Sequence, residues 1–396
     1  MDNVFDFRNR LINEYSSFSR SFSKVSAQDI LSKVELEYDR GRYWPEPLIQ
    51  INPNYKRQST VQQLAHEGML HASCSHIFQT GKTEGKAADL HLYVHQLQAL
   101  AKAQKQQSYV VTTGTGSGKS LAFFVPIIDR ILKAKQADPQ KRTRAIVIYP
   151  MNALANSQLE ELDKFLHGYP DDQKPFTVAR YTGQESDADR KQIADNPPDI
   201  LLTNFMMLEL ILTRFEDVDR RVVEHCQGLE FLVLDELHTY RGRQGADVAL
   251  LVRRLRERLQ AHQLVCIGTS ATMSSTGTQA DRNQTVASVA SLLFGAQITE
   301  HDVIGETLER VTNPAKDIEA VKSLLKPALL KESYHWPDFA AFSDDPLAVW
   351  VELSLGIELP LDEPPRRARP VTLGDAAKRL ADDAQCTVEE AHAGLQ

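Results

Sequence analysis

The chain has 396 residues, of which 42% are hydrophobic and 25% are charged. This composition excludes wholesale disorder, a collagen-like fibre and a small disulfide-stapled scaffold, and the length allows two or three domains of roughly 100–200 residues each. The 45 basic and 53 acidic residues leave a net charge of −8 at pH 7, which excludes a polyanion binder held by bulk charge.

Residues 1–88 predict a helical N-terminal region. The first 42 residues have the mixed polarity of helices, three prolines in 43–55 indicate extended chain, and the apolar spacing of 60–78 predicts two helices. The sequence opens without a signal peptide and has no apolar run near the roughly 18 residues of a membrane span, so we expect a cytoplasmic protein with no membrane partner. The cluster HASCSH (71–76) favours a helix and its cap over a metal site.

A strand–helix alternation begins near Leu90. Six short β-branched runs alternate with helical segments, and FLVLD and ILLTN have the continuous apolar sequence of buried parallel strands. The alternation predicts an α/β fold with a mainly parallel sheet. The predicted strands are 109–112, 145–149, 177–181, 199–203, 230–234 and 264–268, and the predicted helices are 119–135, 152–166, 206–212 and 246–260.

We expect the alternation to end after Met273 and a mixed, mostly helical region to follow. Residues 276–358 predict an acidic connecting region with one clear helix at 286–294. Four prolines in 359–370 predict a linker. The Ala-rich segment 371–396 predicts a helical segment that could begin a further domain.

The segment TGTGSGKS lies directly between a predicted strand and a predicted helix. Glycines in such a loop let successive backbone N–H groups turn toward a phosphate, and the N-terminus of the next helix attracts the same anion. The lysine can reach the β- and γ-phosphates of ATP, and the last hydroxyl can bind Mg²⁺. This context favours a P-loop over a Gly-rich turn that binds nothing. The predicted ATP-binding residues are Thr113, Gly114, Thr115, Gly116, Ser117, Gly118, Lys119 and Ser120, with Lys119 also catalytic and Ser120 also a Mg²⁺ ligand.

A second acidic element, DELH, directly follows the predicted strand 230–234. In a doubly wound sheet, the carboxyl end of such a strand lies beside the P-loop. Asp235 is then placed to hold Mg²⁺, and Glu236 to orient and deprotonate the attacking water. Acidic pairs also end strands for solubility alone, but the preceding P-loop favours the catalytic interpretation.

These elements resemble superfamily 2 helicases of the DEAD/DEAH type, whose motor domain is RecA-like. Thr113 departs from the strict P-loop pattern, which has Gly there, but helicase-type loops relax this position. Tyr93, His95 and Gln96 lie where the family has an adenine-reading glutamine, so the resemblance implies that Tyr93 and Gln96 bind adenine. It also implies ATP and Mg²⁺ as cofactors. The residues implied to couple hydrolysis to strand movement are His238, Ser270 and Thr272.

Three further segments resemble the strand-contacting motifs of this family. They are YPMNALA (149–155), YTG (181–183) and TN (203–204), in the family's order. The resemblance implies a bound single strand, with DNA expected, contacted at its phosphates. The arginine face of the predicted helix 246–260 favours a solvated or domain-facing surface over a DNA reader, and the turn before it is the better candidate. The implied nucleic-acid contacts are Pro150, Asn152, Thr182, Gly183, Thr203, Asn204, Arg241 and Arg243.

The segment that follows DELH, up to Leu259, resembles large bacterial helicases of the mitomycin-repair group and anti-phage helicases of the Druantia and DISARM kind. The resemblance implies a helicase or translocase with a role in DNA repair or anti-phage defence. Residues 89–275 would form its first RecA-like motor domain, and the second, which supplies arginine fingers, has no candidate after Met273. We therefore expect the N-terminal portion of a longer helicase, inactive or weak without a second RecA-like domain. The alternative is a non-catalytic ATP-switched nucleic-acid-binding module, which would not need the intact DELH and SAT segments.

Overall fold

The chain divides into two compact units. One unit combines Met1–Asn54 with Leu308–Gln396, and the other is Tyr55–Thr307. The second unit contains every predicted site residue. The computed structural model describes residues 4–22, 25–40, 45–114, 116–271, 278–331, 335–360 and 364–396.

The first unit begins with two helices, as the sequence predicts. They are α1 (Val4–Ser21) and α2 (Gln28–Asp39), and none of their residues is buried. Two short strands follow, β1 (Leu48–Ile49) and β2 (Asn54–Tyr55), and the second of them reaches the first residue of the other unit. The described part of the segment 43–55 is therefore extended, in agreement with its prolines.

Two antiparallel ribbons and two short helices open the second unit. The strands are β3 (Arg57–Thr60), β4 (Gln79–Thr80), β5 (Ala88–Asp89) and β6 (His91–Tyr93). Strand β3 pairs with β6, and β4 pairs with β5. The two helices predicted within 60–78 are α3 (Val61–His66) and α4 (Cys74–Ile77). Cys74 is buried, and His71 Nδ1 accepts the Ser73 N–H at 3.1 Å, so the HASCSH cluster forms a helix start.

Seven parallel strands form the central sheet of this unit. They are β7 (Tyr109–Thr112), β8 (Ala145–Tyr149), β9 (Val178–Arg180), β10 (Ile200–Asn204), β11 (Phe231–Leu234), β12 (Val265–Ser270) and β13 (Val303–Gly305). Across the sheet the order is β13-β7-β12-β11-β8-β10-β9, and every neighbouring pair is parallel. The predicted α/β fold with a mainly parallel sheet is thus confirmed.

Helices pack against both faces of this sheet and enclose two hydrophobic cores. On one face lie α5 (Val94–Gln104), α6 (Leu121–Ala137) and α7 (Asn152–Phe165), whose core residues include Leu100, Phe123 and Leu162. On the other face lie α8 (Asp187–Asp195), α9 (Phe205–Thr213), α10 (Asp217–His225), α11 (Gly242–Arg258) and α12 (Gln279–Phe294). The inner strands β7, β8, β10, β11 and β12 are almost wholly buried, which explains their largely apolar sequences, whereas the edge strand β9 is only partly buried.

The edge strand β13 differs from the sequence prediction, which ends the alternation after Met273. It is only three residues long and pairs with β7, placing Gly305 beside Thr112. So short a run shows no strand pattern by itself, and its burial depends on the neighbouring strand. The compact unit also includes residues 55–88 and 278–307, which pack on the sheet and its helices, whereas the sequence predicts a motor domain of residues 89–275.

The rest of the first unit is mostly helical with short strands. Its elements are β14 (Leu308–Glu309), α13 (Ile318–Leu329), α14 (Phe339–Asp344), α15 (Pro346–Val351), β15 (Ile357–Glu358), β16 (Arg366–Arg367), β17 (Val371–Thr372), α16 (Leu373–Ala384) and α17 (Val388–Leu395). The predicted linker 359–370 contains β16, which pairs antiparallel with β15. Among the described residues, none of the helices is long and apolar enough to cross a membrane.

Candidate nucleotide and nucleic-acid site

The predicted P-loop connects β7 to α6 at the carboxyl edge of the sheet. Two of its glycines have left-handed backbone, with φ of +77° at Gly116 and +65° at Gly118. A Cβ added at Gly118 would lie 2.7 Å from Nε2 of Gln96. The left-handed conformation therefore favours glycine at position 118, and a side chain there would also displace the Gln96 amide. The predicted ATP-binding residue Thr115 lies outside the described residues.

Two side chains from the start of α5 hold the carbonyl groups of the P-loop. His95 Nε2 lies 3.0 Å from the Ser117 carbonyl oxygen, and Gln96 Nε2 donates to the Gly118 carbonyl oxygen at 2.9 Å. Gln96 Oε1 accepts the backbone N–H of Tyr93 at 2.8 Å. Both ends of the Gln96 amide are therefore bonded to the protein, so Gln96 positions the loop. The adenine contacts of Tyr93 and Gln96 stay a prediction.

A carboxylate from the edge of the sheet also contacts the P-loop. Glu306, the residue after β13, accepts the backbone N–H of Gly114 at 3.1 Å. Burial lowers the pKa of His95, while its hydrogen bond to Ser117 and the charge of Glu306 oppose this shift. A neutral His95 donates its Nε2 proton to the carbonyl of the loop. The N–H of Gly114 thus faces a carboxylate in this structure.

The side chains of Thr113 and Ser117 lie inside the loop, and Ser120 lies at the start of α6. The hydroxyls of Thr113 and Ser117 are 2.6 Å apart and buried, so Thr113 closes the loop from within. Ser120 precedes the first residue of α6 and is its N-cap residue. A phosphate bound in the loop would meet the positive end of this 17-residue helix.

The acidic element lies beside the P-loop, as predicted. Lys119 Nζ is 3.9 Å from Glu236 Oε1, and Glu236 has a left-handed backbone with φ of +54°. Thr269 on β12 binds both acidic residues: its hydroxyl donates to the Asp235 carboxylate and accepts the Glu236 N–H at 3.1 Å. Burial raises the pKa of Asp235, and the Thr269 hydrogen bond and the charge of Lys119 oppose this shift. Thr269 is not among the residues predicted from the sequence, although it directly precedes the segment SAT (270–272).

The predicted coupling residues approach the acidic element. Ser270 Oγ lies 3.4 Å from His238 Nδ1, and the same nitrogen lies 3.2 Å from Glu236 Oε2. His238 therefore links the Glu236 carboxylate to Ser270 on β12, so a change in the charge or position of that carboxylate can affect this strand. Thr272, the third predicted coupling residue, lies outside the described residues.

The donor set at this edge fits Mg²⁺ bound together with phosphates. Among the described residues, no group of three His, Cys, Asp or Glu side chains could hold a metal ion. Mg²⁺ in nucleotide sites takes one or two protein ligands and completes its shell with phosphate oxygens and water. Ser120 at the start of α6 and Asp235 at the end of β11 are of the required chemical types.

The predicted strand-contacting segments meet at the carboxyl edge of β8 and β10. Asn204 Nδ2 donates to Asn152 Oδ1 at 2.7 Å and to the Thr182 carbonyl oxygen at 3.1 Å. Asn204 Oδ1 accepts the N–H of Met207 at 2.7 Å and so caps α9. The Thr203 hydroxyl donates to the Tyr181 carbonyl oxygen at 2.6 Å. The structure therefore brings these segments together, but it also uses most of their polar groups within the protein.

Glu185 accepts the backbone N–H groups of Thr182 and Gly183, two residues that the resemblance implies as nucleic-acid contacts. Its Oε2 accepts the N–H of Thr182 at 2.7 Å and of Gly183 at 2.9 Å. Its Oε1 accepts from the Thr182 hydroxyl at 2.9 Å and from Arg180 Nε at 2.7 Å. Burial pushes the pKa of Glu185 up, but the hydrogen bonds from Thr182 and Arg180 outweigh it, so the pKa lies below its ordinary value. Thr182 and Gly183 therefore do not offer these groups to a strand.

We expect Glu185→Gln to lower the free energy of unfolding by about 1–3 kcal/mol, because Thr182, Gly183 and Arg180 lose a charged acceptor. Chemical denaturation measures this, and Glu160→Gln at an exposed position of α7 is the control. Since the folded-state pKa of Glu185 is depressed, its contribution is complete above the unfolded pKa and is lost as the pH falls through the folded pKa. If the loss of stability caused by Glu185→Gln does not become smaller at acidic pH, the proposed stabilising role of the ionised Glu185 carboxylate is contradicted.

The two arginines of the turn after DELH have different surroundings. Arg241 Nε donates to the His238 carbonyl oxygen at 2.8 Å, beside the acidic element. Arg243 is 97% exposed, with Asp247 4.0 Å away. On α11, Arg253 and Arg256 instead donate to backbone carbonyl oxygens near the end of α12, at 3.1 and 3.2 Å. These contacts lie within the same compact unit and favour the solvated or domain-facing interpretation of this helix face over a DNA reader.

Residues 93–280 match the DEAD/DEAH box helicase family. This range contains the P-loop, the acidic element and the segments that meet at the carboxyl edge of the sheet. The fold and the site thus define a DEAD/DEAH box helicase domain, and the resemblance predicted from the motifs is confirmed.

Two curated relatives and one solved structure are similar to parts of this chain. The uncharacterized ATP-dependent helicase YprA of Bacillus subtilis is 34% identical over 186 residues, which cover 46% of this chain and 23% of YprA. Druantia protein DruE of Escherichia coli is 26% identical over 293 residues, covering 46% of this chain and 16% of DruE. The chain thus spans less than a quarter of either relative. The DEAD-box helicase Mss116 bound to ssRNA and UDP-BeF matches 70% of this chain and 53% of its own, with a TM-score of 0.50 and 17% identity, which shows the fold alone.

Proposed function

We propose that this chain is the ATP-binding motor portion of an ATP-dependent nucleic-acid helicase or translocase, with single-stranded DNA as its partner. The approach of Lys119 Nζ to within 3.9 Å of Glu236 Oε1 carries this proposal. The pair puts a phosphate-binding cation beside a carboxylate that can act on water. A nucleotide-dependent switch without hydrolysis needs the cation but has no use for the carboxylate.

ATP would bind with its phosphates on the P-loop, at the N-terminus of α6. Ser120 and Asp235 would hold Mg²⁺, which supplies positive charge to the β- and γ-phosphates when it is bound. Glu236 would accept a proton from the attacking water. His238, 3.2 Å from Glu236, would transmit the change of charge to Ser270 and thus to β12.

A second RecA-like domain, in a longer form of this chain or in a partner, is part of the proposal. In related phosphoryl transfers, an arginine supplied to the γ-phosphate raises the rate by about 10³–10⁵-fold. A domain that must step along a strand also needs a partner against which it can open and close. A role in DNA repair or anti-phage defence and a cytoplasmic location complete the proposal, and the similarity to DruE supports the link to the Druantia group.

The chain should bind single strands with little sequence preference and with strong dependence on salt, because the proposed contacts are to the sugar-phosphate backbone. Fluorescence anisotropy with labelled DNA strands of three sequences, and with one RNA strand, measures this over a range of NaCl concentrations. A large preference for one DNA sequence at fixed salt contradicts the proposal. Stimulation of ATP hydrolysis by the bound strand distinguishes the proposed motor from a non-catalytic switch.

A further inference from the structure

The carboxyl edge of β8 and β10 offers a strand fewer polar groups than its sequence suggests. The carboxylate of Glu185 accepts the N–H groups of Thr182 and Gly183. The Asn204 side chain donates to two acceptors and accepts from one backbone N–H. The Thr203 hydroxyl is buried and bonded to a carbonyl. A strand bound at this edge would therefore need contacts besides these groups.

Two exposed methionines lie at this edge. Met151 is 59% exposed and Met206 is 58% exposed, whereas the adjacent Met207 is buried. Met151 directly precedes Asn152 as the N-cap residue of α7, and Met206 is the second residue of α9. The strands before these helices are neighbours, and the side chains of Asn152 and Asn204 are hydrogen-bonded at 2.7 Å.

We propose that Met151 and Met206 form an apolar surface that contacts the sugars and bases of the bound single strand. This inference rests on the proposed function. Single exposed apolar side chains are ordinary on a protein surface, but Met151 and Met206 lie at the same sheet edge as the predicted strand-contacting residues and offer apolar area where a strand would lie. Methionine is unbranched and polarizable, so it adapts to irregular partners and is frequent on binding surfaces that accept many ligands. A motor that moves along any sequence needs this tolerance.

An apolar contact has a signature that separates it from a phosphate contact. Binding to phosphates releases counterions, so each phosphate contact adds to the slope of log affinity against log salt. An apolar contact between the strand and Met151 or Met206 releases no counterions. Its loss should therefore lower affinity equally at every salt concentration and leave the slope unchanged.

We expect the double variant Met151→Ala, Met206→Ala to bind a labelled dT 20-mer about tenfold more weakly than the wild type, since the strand would lose its apolar contacts with both exposed methionines. Fluorescence anisotropy at several NaCl concentrations should give two parallel lines. Met151→Leu with Met206→Leu, which keeps the apolar volume, should restore most of the affinity. The matched control is Met69→Ala, because Met69 is 44% exposed and contacts Gln104 at the end of α5 remote from the P-loop.

ATP affinity and the unfolding midpoint of the double variant should equal those of the wild type, which shows that the fold is intact. If the wild type binds the strand and the double variant binds it equally well, the inference is overturned and the proposed function stands. A shallower salt slope in the double variant also overturns it, because the methionines would then act through phosphate contacts. If the wild type binds no strand at any salt concentration, the proposed function fails together with this inference.

Discussion

Glu236→Gln should lower the rate of ATP hydrolysis by about 10²–10⁴-fold while ATP binding is retained. Glutamine has nearly the same volume as glutamate, so Asp235 and its bond to Thr269 should remain in place. The variant loses the carboxylate that lies 3.9 Å from Lys119 and 3.2 Å from His238. Without that base, the attacking water is no longer deprotonated, and the bound ATP persists.

Single-turnover hydrolysis with the protein in excess over ATP, in the presence of a saturating single strand, measures this effect even where the basal rate is low. A fluorescent ATP analogue measures binding in parallel. The matched control is Glu257→Gln, which removes an exposed carboxylate on α11 and should leave both quantities unchanged. Hydrolysis in Glu236→Gln within a few-fold of the wild-type rate would place the general base elsewhere.

Lys119→Ala should weaken ATP binding by about 10- to 100-fold. Charge-assisted hydrogen bonds contribute about 1.5–3 kcal/mol each, and Lys119 is the cation of the P-loop. The Lys119 side chain is only 15% exposed, so little water can replace the ammonium beside the phosphates. The loop backbone should keep its shape, because His95, Gln96 and Glu306 hold it independently of the lysine.

Isothermal titration calorimetry with ATP and Mg²⁺ measures the affinity, and Lys105→Ala at an exposed position after α5 controls for the loss of one positive charge. The unfolding midpoint of Lys119→Ala should stay at or slightly above the wild-type value. Equal ATP affinity in Lys119→Ala and the wild type would show that this loop does not bind the phosphates in the proposed way.

Much of the fold and of the nucleotide site could be predicted because the signals are local. A strand inside a parallel sheet is mostly apolar, so the inner strands are visible as apolar runs, and the edge strand β9 lies within the predicted strand 177–181. A phosphate loop needs glycines, a lysine and a hydroxyl in one short segment, so TGTGSGKS is visible as a unit. The short edge strand β13 gave no such signal, because three residues carry no period.

Sequence alone determined the parallel sheet, the P-loop, the acidic element and the order of the segments that meet beside them. Tertiary structure decided which polar groups in those segments remain available. Glu306 reaches the N–H of Gly114 from 192 residues away, and Thr269 reaches both acidic residues from a neighbouring strand. Glu185 is close in sequence to Thr182, yet only the turn at Gly183, with φ of +89°, brings its carboxylate onto their N–H groups. The physical reason is that the residue type limits which partners a polar group can bind, whereas the fold determines which of those partners lies within hydrogen-bonding distance.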